Sequence, residues 1–420
     1  MTKYIPIFFC LLVAPFHVRA ELNIEITGAG EQQTQISVVR FAGEDQSAQN
    51  ISSVVANDLL RTGLFKLVDP AGKAPHEISE VRYAEWPGVE ALLMGSVKAQ
   101  DGGKVIVKFR LLDMVRRKEL VYQVLMANED QLRAIAHRIA DLAYERLTGS
   151  SGVFSTRIAY VNRDGRHYRL VVADSDGYGE QTLLSSNEPI MSPAWSPDGK
   201  QIAYVSFEQR RAMVYVQSLA TRQRMLLADF PGSNSAPAWS PDGKQLALVL
   251  TRDGNSQLYH VNSDGSDLHR ITFSEGIDTE PIFSPDGKYL LFTSDRGGSA
   301  QIYKVSVEGG NAERMTYEGS NNFSPRYSPD GKSFVFSHFS GGRFYIAIQD
   351  FESRQVQILT SGGWEKKPSF APNGKLVLFA AESQGRGILA TVSSDGKVKQ
   401  KMVAQYGDIR EPTWGPFQKQ

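Results

Sequence analysis

Hydrophobic and polar residues alternate in short runs through most of the chain, and this alternation repeats. Residues 201–206 (Gln-Ile-Ala-Tyr-Val-Ser) alternate as a half-buried strand does. Further strand-like runs follow at 212–219 and 223–228, and the residues between the runs are turn formers. The pattern is different before residue 148. Residues 49–62 place Ile51, Val54, Val55 and Leu59 on one helical face, with Gly63 just past the end. Residues 129–147 place Leu132, Ile135, Ala136, Ile139, Leu142 and Ala143 on one face, with Asn128 as N-cap and Gln131 three residues on. Strand patterns at 35–41, 91–97, 104–112 and 119–125 complete an α/β domain.

The alternation has a period. Pro193-Ala194-Trp195-Ser196-Pro197-Asp198-Gly199-Lys200 returns in close variants that start at Pro237, Pro281, Pro325 and Pro368, and a truncated copy starts at Pro412. The intervals are 44, 44, 44, 43 and 44 residues. About 40–45 residues make one four-stranded propeller blade. Each period reads as an inner strand, a Ser-Pro-Asp-Gly turn and three outer strands; proline presets φ at the second turn position and glycine suits the fourth. Residues 156–161 resemble 200–205 but no inner strand stands before them, whereas residues 412–416 have an inner strand and nothing after it. The C-terminal strand is therefore expected to complete the first blade, which closes a six-bladed ring and removes its open edge. The expected fold is multi-domain: an N-terminal α/β domain at 21–147, a linker at 148–152, and an all-β six-bladed β-propeller at 153–420.

The first twenty residues stand apart. Lys3 precedes an apolar run at 5–14, and Val18-Arg19-Ala20 suits a cleavage site. The run is shorter than the ~20 apolar residues that span a bilayer. A secretory signal peptide cut between Ala20 and Glu21 is expected. The single cysteine, Cys10, lies inside it, so the mature chain is expected to hold no disulfide and no thiolate metal site. Bulky Ile7, Phe8 and Phe9 before Cys10 do not fit a lipid-attachment signal. Charge is balanced, with 46 basic and 46 acidic residues and no long block of one sign. That composition does not suit nucleic acid or an electrostatic membrane anchor.

Catalytic chemistry is hard to find. The repeated Ser-Pro-Asp-Gly-Lys phrases hold the residues that the turn prefers. Asp174-Ser175-Asp176-Gly177 and Asn262-Ser263-Asp264-Gly265 lack the full spacing of calcium loops. Neither His-Glu-x-x-His nor Gly-x-Ser-x-Gly occurs. No catalytic residue, metal or cofactor is assigned, and a cation in the channel has no identifiable ligand set. The informative residues lie just before each inner-strand proline, where the loops should encircle one mouth of the channel. They are Met191-Ser192, Ser235-Ala236, Thr279-Glu280, Phe323-Ser324, Lys366-Lys367 and Arg410-Glu411, with Asn322 beside Phe323. Varied side chains on a rigid ring suit recognition, and equally suit solvated loops.

With signal peptide, α/β domain and propeller in this order, the chain resembles the TolB family, the periplasmic propellers of the Tol-Pal system in Gram-negative bacteria. Phrases that carry the resemblance include Leu147-Thr148-Gly149, Asp176-Gly177-Tyr178, Thr279-Glu280-Pro281 and Tyr317-Glu318-Gly319-Ser320. The resemblance spans essentially the whole mature chain. It implies a non-enzymatic scaffold that supports outer-membrane integrity and envelope constriction during cell division. It implies binding of the lipoprotein Pal through the channel-mouth face, with Thr279 and Glu280 in that ring. Ser233, Asn234 and Ser235 match a family loop that often carries a histidine, and Ser233 stands in its place here. It implies that the mature N-terminus, Glu21, Leu22, Asn23, Ile24, Glu25 and Ile26, engages the inner-membrane protein TolA, and that its position is coupled to the Pal site. The mature protein is expected to be a monomer on its own, without membrane insertion. Two other readings stay open: a hydrolase or lyase that uses the channel, and a glycan-binding module that stacks sugars on Phe323.

Overall fold

The computed structural model describes residues 23–27, 33–47, 49–403 and 407–418; of 23–27 and Val403 only the backbone is described. The signal segment, Ala20, Glu21 and Leu22 lie outside the described residues.

The N-terminal domain is a mixed five-stranded sheet with two helices on one face. Its elements are β2 (Thr34–Val38), α1 (Ile51–Leu60), β3 (Phe65–Leu67), β4 (Ala91–Gln100), β5 (Lys104–Asp113), β6 (Lys118–Asn128) and α2 (Leu132–Thr148); β1 is Asn23–Thr27. Strand order is β3-β2-β4-β5-β6, with β2 parallel to both neighbours and the last two pairings antiparallel. The predicted apolar faces are the buried ones. Ile51, Val55 and Leu59 of α1 meet Ala136, Ile139 and Ala143 of α2 over Val107 and Phe109. Each such aliphatic side chain contributes about 1.5–3 kcal/mol when fully buried. Caps fix both starts: the Asn50 side chain accepts from the Ser53 N–H at 3.1 Å, and Asn128 with Gln131 forms a capping box that leads through a short 3-10 turn into α2. The three-residue β3 is not visible in the sequence pattern.

The propeller has six four-stranded antiparallel blades. In blade 2 the strands are Ile190–Trp195, Gln201–Ser206, Met213–Ser218 and Arg224–Ala228, within a few residues of the expected limits. The ring closes as expected. Asp408–Trp414 pairs antiparallel with Arg157–Asp164, and the Trp414 indole N–H donates to Thr156 Oγ1 at 2.8 Å.

The Ser-Pro-Asp-Gly turns are one structure used repeatedly. The Ser196 hydroxyl donates to Asp198 Oδ1 at 2.6 Å, and its oxygen accepts from the Gln201 N–H at 2.9 Å. Ser240, Ser284 and Ser328 repeat both bonds. Gly243 at φ 72° packs on the preceding blade; a Cβ there would lie 3.3 Å from Pro197 Cγ. Proline and glycine thus set blade against blade as well as turning the chain.

Residues expected as a linker, 148–152, are fastened. Gly149 caps α2 at φ 75°, the Asp141 carboxylate accepts from the Phe154 and Ser155 N–H groups, and Asn373 donates to the Ser151 carbonyl. These propeller contacts are on the turn face, at blade 1 (residues 157–186 with 408–414) and blade 6 (residues 366–403).

Candidate functional site: the channel mouth and the N-terminal strand

Every inner strand carries a β-bulge at its proline. Met191 pairs with Val205 and Ala194 with Ala203, which leaves one extra residue on the inner strand. The same slip occurs in all six blades. Proline has no N–H to lose at such a site. The residue before it takes a left-handed backbone each time: Ser192, Ala236, Glu280, Ser324, Lys367 and Glu411 have φ between 46° and 56°. A non-glycine residue there costs roughly 1 kcal/mol, so the ring holds a repeated strain.

The bulge sorts three successive residues into three environments. Three positions before each proline stand Ile190, Asn234, Asp278, Asn322, Glu365 and Ile409, of which all but Glu365 are buried. Asn234 donates to the carbonyls of Ala212 and Phe230. Asn322 donates to Gln301 Oε1 and the Glu318 carbonyl and bonds His338. This corrects the expectation for Asn234 and Asn322. Both are fully buried, and they brace the loops instead of facing a partner.

Two positions before the proline stand Met191, Ser235, Thr279, Phe323, Lys366 and Arg410, which form the rim. Met191 is 41 % exposed and the others are partly so. Lys366 Nζ lies 4.0 Å from the ring centroids of both Phe344 and Trp364. Burial holds its ammonium below the usual lysine range, and the Arg410 and Lys367 charges add to this. Arg410 pairs with Asp408 at 2.6 Å. Ser233 is exposed at the neighbouring loop.

One position before the proline the side chains line the channel. Ser192, Glu280, Lys367 and Glu411, with Arg326, enclose a space of only about 30 Å³. Lys367 Nζ lies 2.5 Å from Glu280 Oε1 and 3.5 Å from Glu411 Oε2. Glu280 also accepts from the Ser324 N–H and hydroxyl and from the Thr293 hydroxyl, at 2.7–2.9 Å. Burial alone would raise the Glu280 carboxyl. The charge and hydrogen bond of Lys367, with Ser324 and Thr293, outweigh it and hold the group at about 2. Glu280 and Glu411 are therefore parts of an ion cluster inside the ring, not freely presented charges.

The sequence reading missed the connections that lead into the ring. Phe273 (77 % exposed) and Tyr317 (71 %) stand one period apart, each over an arginine, Arg270 and Arg314. Ile277 and Trp364 are exposed on the same connections. A large apolar residue directly after the repeated Thr272 and Thr316 was the available signal.

The N-terminal strand β1 lies on the propeller. It adds antiparallel to the outer edge of blade 6, with Asn23 opposite Val403, Ile24 opposite Met402, Glu25 opposite Lys401 and Ile26 opposite Gln400. It makes that blade five-stranded and covers an otherwise open edge.

A second charged cluster joins the domains. His137 Nδ1 is 2.6 Å from Asp58 Oδ2, Arg61 is 3.1 Å from Asp58 Oδ1 and donates to Ser175, and Arg133 bonds Asp176. Burial opposes a charged imidazole at His137, but Asp58 and then Asp176 raise it above its ordinary value. Asp58, His137 and Asp176 converge closely enough to hold a cation. The two arginines already neutralise them, which makes this an interdomain ion network. The Asp174-Ser175-Asp176-Gly177 turn is one side of it.

Among the described residues no helix is long and apolar enough to cross a membrane. Residues 144–418 match the family model described as the TolB beta propeller domain, and residues 22–120 match the TolB amino-terminal domain. The chain is 61 % identical over 404 residues to the Tol-Pal system protein TolB of Nitrosomonas europaea, which covers 96 % of this chain and 95 % of the relative. It is 62 % identical to that of Dechloromonas aromatica, covering 95 % and 94 %. The crystal structure of TolB from Acinetobacter baumannii superposes with a TM-score of 0.88 at 37 % identity, covering 94 % of this chain and all of that one.

Proposed function

The chain belongs to the TolB family of the Tol-Pal system, and on that premise we propose that it is a non-enzymatic periplasmic scaffold with two docking elements. The channel-mouth rim binds the Pal-like lipoprotein, and the N-terminal segment binds TolA. Together they support outer-membrane integrity and constriction at division. One observation carries the first assignment. The bulged backbone repeats six times, yet the rim residues Met191, Ser235, Thr279, Phe323, Lys366 and Arg410 all differ, on the face opposite the repeated turns. Regular strain that presents irregular side chains suits recognition. The rim is apolar at Met191 and Phe323 and basic at Lys366 and Arg410, which favours a partner with an apolar anchor beside acidic groups.

The pairing of β1 with blade 6 supports a regulated second site. While Asn23–Thr27 is in that sheet, one edge of the segment is used, so TolA engages it after release. Isothermal titration of the mature protein with the soluble Pal domain tests the first assignment. Met191→Asp is expected to weaken binding about tenfold with an unchanged melting temperature. Unchanged affinity removes Met191 from the contact, and no binding by the wild type removes the function. Deletion of residues 21–27 is expected to abolish TolA binding and leave the fold intact.

A further inference from the structure

The repeat provides its own control for finding a site, because residues that serve only the scaffold recur every period. One inter-blade groove departs from the repeat on the turn face. It lies between blade 4 (Asp278–Phe283, Tyr289–Ser294, Gln301–Ser306, Glu313–Arg314) and blade 5 (Asn321–Tyr327, Ser333–Ser340, Arg343–Asp350, Val356–Ile358), away from the N-terminal domain. Its volume is about 420 Å³. Tyr289, Tyr327 and Phe351 line it, with Asp286, Asp330 and Lys304. One period earlier the four positions equivalent to Tyr289, Lys304, Tyr327 and Phe351 hold Gln245, His260, Phe283 and Val307; two periods earlier they hold Gln201, Val216, Trp239 and Ser263. Neither set builds three aromatic walls beside a lysine.

The geometry is that of a prepared pocket. Tyr327 and Phe351 stack at 5.4 Å, and Lys304 Nζ sits 4.1 Å from the Tyr289 centroid. The Trp239 N–H, at the Tyr327 position, donates to the carbonyl of Ala194 in the preceding blade. The Tyr327 hydroxyl is buried and has no hydrogen-bond partner among the described residues. A buried hydroxyl left unpaired costs stability unless something reaches it.

We propose that this groove binds a saccharide, with a sugar ring face on Tyr289 and Phe351 and sugar hydroxyls on Tyr327, Asp286 and Asp330. The chemistry selects that class. Flat aromatic walls take the apolar face of a pyranose, while carboxylates, a phenol and an ammonium satisfy hydroxyls that both donate and accept. The volume lies within the ~300–1,000 Å³ typical of ligand pockets. An extended peptide fits less well, because Lys304 is already paired with Glu313 in the blade-4 sheet, and the edge strand there, Glu313–Arg314, is only two residues long. A polyanion would meet Asp286, Asp330 and Glu313 at the rim.

The test is titration of the mature full chain with chitobiose and with cellobiose, followed by protein-observed NMR. Saturable binding of at least one disaccharide is expected, with shifts centred on Tyr289 and Tyr327. Tyr289→Ala is expected to weaken it by about tenfold or more, and Tyr327→Phe by about threefold while raising the melting temperature of the ligand-free protein. His260→Ala, one period away, is expected to leave it unchanged. Absence of binding by both sugars overturns the proposal. So does binding that survives both tyrosine substitutions, or a groove that takes only a proline-rich peptide. The Pal assignment concerns the opposite face and is unaffected by any of these outcomes.

Discussion

On the turn face, four serines donate to the aspartate two residues on in copies that differ by about 0.1 Å, and the residues are as uniform as the bonds. On the channel-mouth face the backbone is equally uniform, with six bulges and six left-handed residues, but the six rim side chains all differ. The contrast shows how a repeat protein separates jobs. Where the turn itself is the product, sequence and geometry are locked together. Where geometry is only a mount, one backbone presents six different residues at the rim, and four kinds of residue at the buried and channel-lining depths. Buried braces, exposed rim and channel lining follow one another along the chain, and only the rim is free to meet a partner.

Glu280 is the residue on which this contrast breaks most sharply. Glu280→Lys puts a second cation beside Lys367 and removes the acceptor of Ser324 and Thr293. Loss of one member of a buried pair costs about 3–5 kcal/mol, so a large fall in the urea midpoint is expected. An unchanged midpoint would make Glu280 a presented charge after all. The pair also has a pH signature. A carboxyl depressed to about 2 contributes stability that is fully present above its ordinary value near 4.5 and is lost as pH falls toward 2.

The N-terminal domain rests on the turn face, and His137 tests that join. It faces Asp58 of α1 and Arg61 just past its end, and Asp174 and Asp176 from blade 1, which Arg133 of α2 also pairs. Because its imidazole is raised, its contribution is full below about pH 6.5 and fades as pH rises through the folded value. His137→Gln is expected to cost about 2 kcal/mol near pH 6 and less near pH 9, read from paired urea titrations. A cost that grows with pH would contradict the charged network.

The smallest effect is expected at the repeated turn. Asp242→Ala removes the acceptor of the Ser240 hydroxyl and the Lys244 N–H, at about 1 kcal/mol, and should not alter binding at the opposite mouth. An equal loss at one turn and of partner affinity would join faces that the comparison separates.

Much of this was legible in the sequence for a physical reason. A blade must repeat its turn, so proline and glycine mark the period, and the unmatched strands at residues 157 and 414 disclose the closure. The helices of the first domain follow from one apolar face each. The depth of the ring residues was not legible. A bulge interrupts the two-residue alternation, so Asn322, Phe323 and Ser324 cannot be assigned to brace, rim and channel by counting. Nor does the pairing of Asn23–Thr27 with Lys399–Val403 leave a local trace, because the partners are more than 370 residues apart. The His137 network is equally non-local.

The most direct test of the account compares the two faces in one binding experiment. The soluble Pal domain is titrated into wild type, a rim variant carrying Met191→Asp and Lys366→Asp, and a turn variant carrying Asp242→Ala. The account predicts wild-type affinity for the turn variant and at least about a thirtyfold loss for the rim variant, both folded by circular dichroism. A rim variant that binds as tightly as wild type would contradict it.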